Sequence, residues 1–227
     1  MAGGAERIGL ILDCDGTLLD SIGAWHEAEA TVAQSGGVTL SKAERDELNT
    51  LTLPEAGTFF HERFGIGRSA RDVVERINEF MLDYYRERSE ARPGAFEFVR
   101  ELRERGAAVT VASSSPQAFL QAGLGHTGFL PFIDAVVSVD DVAGSKRDRA
   151  IFDHCRALMG TDAAFTWGFD DSVYALVTMA DAGYRTVGVF SSDLCGSRTE
   201  MAEVADLVIA GFGELDAARF LQVAARG

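Results

Sequence analysis

Ile8-Gly9-Leu10-Ile11-Leu12-Asp13-Cys14-Asp15-Gly16-Thr17 is a short apolar run that stops at two aspartates and a glycine. A continuous apolar run of this length suits a parallel strand buried on both faces. Open α/β sheets carry their chemistry at the carboxyl ends of such strands. Asp13 and Asp15 stand two apart there, so in the loop they can converge on one metal or substrate. A carboxylate at Asp13 can attack a phosphorus atom. One at Asp15 can protonate the leaving oxygen and then deprotonate the water. Gly16 permits a backbone conformation that lets amides approach a phosphate. The plain alternative is an acidic turn of the Asx kind.

The pattern changes downstream. From Ser21 to about Ser89 the periodicity is helical, with no convincing strand. Ser21 is placed to cap a helix toward Gln34, which Gly36-Gly37 ends. Ser41 and Glu44 form a capping-box pattern, and Pro54-Glu55 opens a third helix. Ser69-Ala-Arg-Asp72 opens a fourth, with Val73, Ile77, Phe80, Met81 and Tyr84 on one face. Beyond Pro93-Gly94, strands alternate with helices. Strands are expected at 108–112, 135–139, 165–169, 186–190 and 207–209, and helices at about 95–104, 116–122, 149–159 and 172–182. This predicts an α/β fold: a Rossmann-like parallel sheet with helices on both faces, plus an inserted α-helical domain. The expected boundaries are 1–19 and 92–227 for the α/β core and 20–91 for the insert.

The composition is that of a globular chain, with 47% hydrophobic and 25% charged residues over 227 positions. A formal net charge of −14 repels nucleic-acid backbones and anionic membranes, so neither is expected as a partner. It also means that any phosphate site needs local positive charge. Cys14, Cys155 and Cys195 are sparse, odd in number and unpaired in spacing, which predicts reduced thiols and a cytoplasmic protein. Neither a signal peptide nor a membrane span is expected from the apolar runs. Lys42 and Lys146 are the only lysines. The other basic side chains are arginine, and the two residue types are not chemically interchangeable.

The string Asp13-Cys-Asp-Gly-Thr-Leu-Leu-Asp-Ser21 after a buried strand resembles the first signature motif of the haloacid dehalogenase-like hydrolase superfamily. The resemblance implies three further motifs at later strand ends. Ser113, in Ala112-Ser-Ser-Ser115, matches the Ser or Thr that hydrogen-bonds the transferring phosphoryl group, with Ser114, Gly16 and Thr17 beside it as phosphate contacts. Lys146 matches the cation that orients the nucleophile. Many relatives follow that lysine with Pro-x-Pro-Asp, whereas here Arg147, Asp148, Arg149 and Ala150 stand. Asp170 and Asp171 close another strand, and adjacent carboxylates repel unless a cation lies between them. The reading is a Mg2+ site of Asp13, the Asp15 backbone carbonyl and Asp171, with Asp170 acting through water. A helix start decorated with acid is the alternative for that pair.

The insert after the first motif matches the subfamily with a small α-helical cap, with hinges near Asp20 and Arg92. Dehalogenases of the superfamily lack an acid at the position of Asp15, so its presence favours a phosphatase or phosphomutase. The expected function is Mg2+-dependent hydrolysis of a small phosphorylated metabolite through an aspartyl-phosphate. A β-phosphoglucomutase-like phosphotransferase and a non-catalytic binding protein are the alternatives. His26 is taken as a substrate contact of the cap, and Trp25, Glu29, Thr52, His61 and Arg63 as further specificity candidates. Each is also readable as part of a structural helix face. Trp167 is read as core. A monomer is the default expectation.

Overall fold

The computed structural model describes residues 7–49, 51–142, 144–191 and 198–226; Cys195 and its predicted thiol lie outside them. The chain divides into two compact units, Ser21–Arg88 and the remainder. Among the described residues no helix is long and apolar enough to cross a membrane.

The unit Ser21–Arg88 is built of α1 (Ile22–Ser35), α2 (Lys42–Leu48), α3 (Leu53–Phe64) and α4 (Ala70–Glu87). The start of α1 differs from expectation, because Ser21 makes no side-chain cap hydrogen bond. The capping box of α2 is complete: the Glu44 N–H donates to Ser41 Oγ at 3.3 Å and the Ser41 N–H to Glu44 Oε2 at 2.8 Å. Thr52 and Glu55 form a second box on α3, one that the Pro54-Glu55 signal had partly concealed. Val73, Ile77, Met81 and Tyr84 of α4 are buried. Phe80 is half-buried instead, with the Arg88 guanidinium 5.3 Å from its ring centroid. Phe60 of α3 and Ala28 and Val32 of α1 complete this core.

The other unit holds six parallel strands, β1 (Gly9–Leu12), β2 (Ala108–Ser113), β3 (Ala135–Ser138), β4 (Thr166–Asp170), β5 (Arg185–Val189) and β6 (Leu207–Ile209), in the order β3-β2-β1-β4-β5-β6. Its helices are α5 (Ala95–Glu104), α6 (Gln117–His126), α7 (Ala150–Met159), α8 (Val173–Asp181), α9 (Arg198–Val204) and α10 (Ala217–Ala224). Alternation along the strands sorts the core by face. On one face, Ile11 and Ala112 cluster with Ile151, Cys155, Leu176, Met179 and Met201 from α7, α8 and α9. On the other, Trp167 and Phe169 of β4 meet Phe220 of α10 at ring distances of 5.2 and 5.6 Å, and Phe98 of α5 stands 5.9 Å from Phe169. The sheet is α/β and Rossmann-like with both faces covered, as the alternating pattern implied. The short helices α9 and α10 were not legible, since each spans only about two turns of periodicity.

The strand order fixes where a ligand can sit. From β1 the chain builds toward one edge through β2 and β3, then returns to β1's other side for β4, β5 and β6. The carboxyl ends of β1 and β4 are therefore the switch point, where loops diverge and leave a crevice.

Gly57 lies where α3 packs closely against α4. A Cβ there would stand 2.6 Å from the Ala70 carbonyl oxygen and 2.5 Å from Val74 Cγ2. Alanine gains about 1 kcal/mol of helix propensity over glycine, whereas forcing a methyl against a backbone atom costs about 1–3 kcal/mol. Gly57→Ala is therefore expected to lower stability in a denaturant melt, and an equal or raised midpoint would refute the close-packing argument.

Candidate active site

The switch-point residues form one buried cluster. Asp13 follows β1, and its N–H donates to the Phe169 carbonyl of β4 at 2.9 Å, which fixes the carboxylate beside the end of that strand. Asp170 is the last residue of β4 and Asp171 the next. Lys146 Nζ enters from the segment before α7 and donates to Asp13 Oδ1 and to Asp170 Oδ2, the latter at 2.9 Å. All four side chains are buried, with Lys146 4% and Asp170 1% exposed.

One oxygen from each of Asp13, Asp170 and Asp171 lies within 4.8 Å of the others. Three carboxyl groups face one ammonium in a desolvated place, so ionising all of them is opposed by burial and by their mutual repulsion. Burial pushes the Asp13 carboxyl up to about 7, with Asp170 and Asp15 adding to the effect and Lys146 opposing it. Burial, Asp13 and Asp170 likewise raise Asp171 well above the usual carboxylate range. Burial pulls the Lys146 ammonium down, but Asp13 and Asp170 outweigh it and leave the lysine firmly protonated.

These residues fit a divalent cation. Asp13 Oδ2 is buried with no hydrogen-bond partner among the described residues. Oxygen donors are what a hard cation such as Mg2+ requires. Asp170 is the least available as a direct ligand, because Oδ1 accepts the Ser172 N–H at 2.9 Å and Oδ2 accepts Lys146. Asp171 Oδ1 accepts the Ser172 hydroxyl at 3.0 Å.

The remaining predicted residues fall as follows. Asp15 is half-buried, and its Oδ2 accepts the Ser115 hydroxyl at 2.5 Å. Gly16 takes φ 77°, a left-handed conformation that glycine adopts without strain. Thr17 Oγ1 is buried with no hydrogen-bond partner among the described residues. Ser113 is the buried last residue of β2, not the residue after it, and its Oγ accepts the Ser115 N–H at 3.1 Å. Ser114 is exposed. Cys14, between the two aspartates, is buried, and burial followed by both carboxylates raises its thiol pKa, so it is no nucleophile. Trp167 is core.

The helical unit holds the other candidates. His26 Nε2 lies 3.0 Å from Asn49 Oδ1. Glu29 is half-buried, and burial pushes it up to about 7. His61 Nδ1 lies 3.0 Å from the Ile66 carbonyl oxygen, Thr52 serves its capping box, and Arg63 pairs with Glu44 at 3.2 Å and Glu47 at 3.1 Å. Those three have structural work in the unit.

A family model for haloacid dehalogenase-like hydrolases matches residues 9–183. The chain belongs to this family. It is 30% identical over 188 residues to hexitol phosphatase B of Escherichia coli K12, covering 81% of this chain and 84% of that protein. Among solved structures, CbbY from Rhodobacter sphaeroides in complex with phosphate superposes with a TM-score of 0.80 at 20% identity, over 95% of this chain and 99% of that one. The β-phosphoglucomutase of Clostridium difficile superposes at 0.77 with 17% identity, over 97% of both chains. The chain is thus a haloacid dehalogenase-like hydrolase, and a curated relative it matches is a phosphatase.

The departure after Lys146 has a local explanation. Without Pro-x-Pro-Asp, the turn is closed by Ser145 and Asp148: the Asp148 N–H donates to the Ser145 carbonyl at 2.9 Å, and Asp148 Oδ1 accepts the Ala150 N–H at 2.9 Å. Sequence reasoning missed two residues. Ser115 carried a faint signal, since i and i+2 positions after a strand share a side. Arg92 carried none beyond its place before Pro93-Gly94. Its buried guanidinium donates to the carbonyls of Gly16 at 2.7 Å, Ala210 at 3.1 Å and Phe190 at 3.3 Å, tying the loop after β1 to the ends of β5 and β6.

Arg92→Ala should leave three carbonyls without this donor and cost about 2–4 kcal/mol of stability, by the scale of charge-assisted hydrogen bonds. Arg92→Lys should recover only part, because an ammonium lacks the planar fork. A melt of both variants checks this; full recovery by lysine would show that charge alone matters.

Proposed function

We propose that the chain is a Mg2+-dependent phosphomonoesterase acting on a small phosphorylated metabolite, a polyol or sugar phosphate, through an aspartyl-phosphate on Asp13. The observation that carries the reading is the buried Asp13 carboxylate, with Lys146 on Oδ1 and a second oxygen left unsatisfied beside Asp170 and Asp171. The polyol class is suggested by the likeness to hexitol phosphatase B.

In the first step Asp13 attacks the phosphorus, the bond to the leaving oxygen breaks, and Asp15 gives that oxygen a proton. In the second, the Asp15 carboxylate takes a proton from the water that attacks the aspartyl-phosphate. Inorganic phosphate departs and Asp13 is restored. Lys146 holds Asp13 in position and offsets phosphoryl charge in a site where water screens little. Ser113 and the loop residues Gly16, Thr17 and Ser114 would hold the phosphoryl oxygens. Asp13, Asp171 and the Asp15 carbonyl would hold Mg2+, with Asp170 acting through water, and the ion would supply positive charge for the developing transition state. The helical unit takes the role of the family's cap, with Trp25, His26 and Glu29 of α1 as the side chains proposed to select the substrate.

Two measurements test this reading. Mg2+ should raise the melting temperature of the wild type, because it relieves repulsion among buried carboxylates; the rise should shrink in Asp171→Asn. An unchanged midpoint at millimolar Mg2+ would remove the cation site. Phosphate release from an aryl phosphate and from a panel of polyol and sugar phosphates should require Mg2+. Asp13→Asn should lower it by about 10³-fold or more, given that nucleophile removal deletes the covalent route. Isomerisation of a hexose phosphate without phosphate release would replace hydrolysis by a phosphomutase activity.

A further inference from the structure

We propose that Ser115 is a positioning residue for Asp15, aiming its carboxyl group and stabilising the carboxylate that forms as its proton passes to the leaving oxygen. This rests on the acid/base reading of Asp15 given above.

Ser115 is a built element and not a loose turn hydroxyl. It is 7% exposed. Its Oγ donates to Asp15 Oδ2 at 2.5 Å across 100 residues of sequence. Its own backbone is held on both sides: the N–H donates to Ser113 Oγ at 3.1 Å, and the carbonyl accepts the buried Ser138 hydroxyl at 2.9 Å. Ser138 Oγ in turn accepts the Asp140 N–H at 3.2 Å. Pro116 follows, at φ −57°, and restricts Ser115 to extended backbone. Three strand ends, those of β1, β2 and β3, thereby converge on the orientation of one carboxyl group.

The chemistry follows from the polarity of that contact. With Oδ2 accepting from a hydroxyl, the proton that Asp15 gives the leaving oxygen is the one on Oδ1. Once it has gone, the same hydroxyl donates to an anion, and the hydrogen bond strengthens. Ser115 keeps the role of donor in both states and exchanges no proton with substrate. The stronger hydrogen bond favours cleavage of the ester bond by on the order of tenfold in rate, the difference between neutral and charge-assisted hydrogen bonds. The gain matters only when the leaving oxygen needs a proton. Alkyl phosphates need it, whereas p-nitrophenolate leaves well without it.

The test compares kcat/KM on p-nitrophenyl phosphate, phenyl phosphate and a hexitol phosphate for wild type, Ser115→Ala and Asp15→Asn. This parameter covers the steps up to phosphoryl transfer and so omits hydrolysis of the intermediate. Ser115→Ala is expected to lose about tenfold more on phenyl and hexitol phosphate than on p-nitrophenyl phosphate, by the same hydrogen-bond difference. Asp15→Asn should show the same trend more steeply. An equal loss on all three esters in Ser115→Ala, beside a steep trend in Asp15→Asn, would overturn the positioning role and leave Asp15 as the acid. A flat response in Asp15→Asn would overturn the acid reading and this proposal with it. Should Ser115→Ala fail to fold, Ser115→Cys, a near-isosteric and much weaker donor, carries the same comparison.

Discussion

The ion cluster of Lys146 with Asp13 and Asp170 is the constraint that the rest of the site depends on. Moving one charge out of water costs several kcal/mol even after relaxation, and here one ammonium and three carboxylates share a place almost without exposed surface. Such an arrangement is a poor way to gain stability. It is tenable because each group is held by the sheet: Asp13 by its N–H on Phe169, Asp170 by the Ser172 N–H and Lys146, and Lys146 by two carboxylates at once. What it leaves unsatisfied is the second oxygen of Asp13, beside Asp170 and Asp171.

The same dependence explains where stability is invested. The face of the sheet around Phe98, Phe169, Phe212 and Phe220 is a continuous aromatic layer beneath the strand ends. Above it, the Arg92 fork donates to backbone carbonyls at the ends of β5 and β6 and in the loop after β1. The packed layer fixes the strands, and Arg92 fixes the loops that leave them. In a protein of net charge −14, Lys146 and Arg92 place two buried positive groups where the sheet converges.

The segment before α7 has no proline, and the Ser145 and Asp148 turn delivers Lys146 to both carboxylates. Ser113 and Ser115 divide the roles that a single glance at three serines would merge: Ser113 lies in the strand, and Ser115 reaches Asp15.

What the sequence determined by itself is whatever short-range pattern encodes. The buried strand before Asp13, the β-α alternation, the capping boxes at Ser41 and the glycine stops follow from local sterics and periodicity, and so were legible. Asp13, Asp15 and the Asp170-Asp171 pair stood out as carboxylates at the ends of apolar strands, Lys146 as one of two lysines, and all of them through the resemblance to the family's motifs. Tertiary structure alone decided the contacts that span the chain. Arg92 meets Gly16 and Ala210, and Ser115 meets Asp15, only once the strands are ordered around β1. The absence of a cap hydrogen bond at Ser21 and the half-exposure of Phe80 were set in the same way, by packing and not by propensity. Hydrogen bonds between residues a hundred positions apart leave no periodic trace, because their geometry belongs to the sheet and not to the segment.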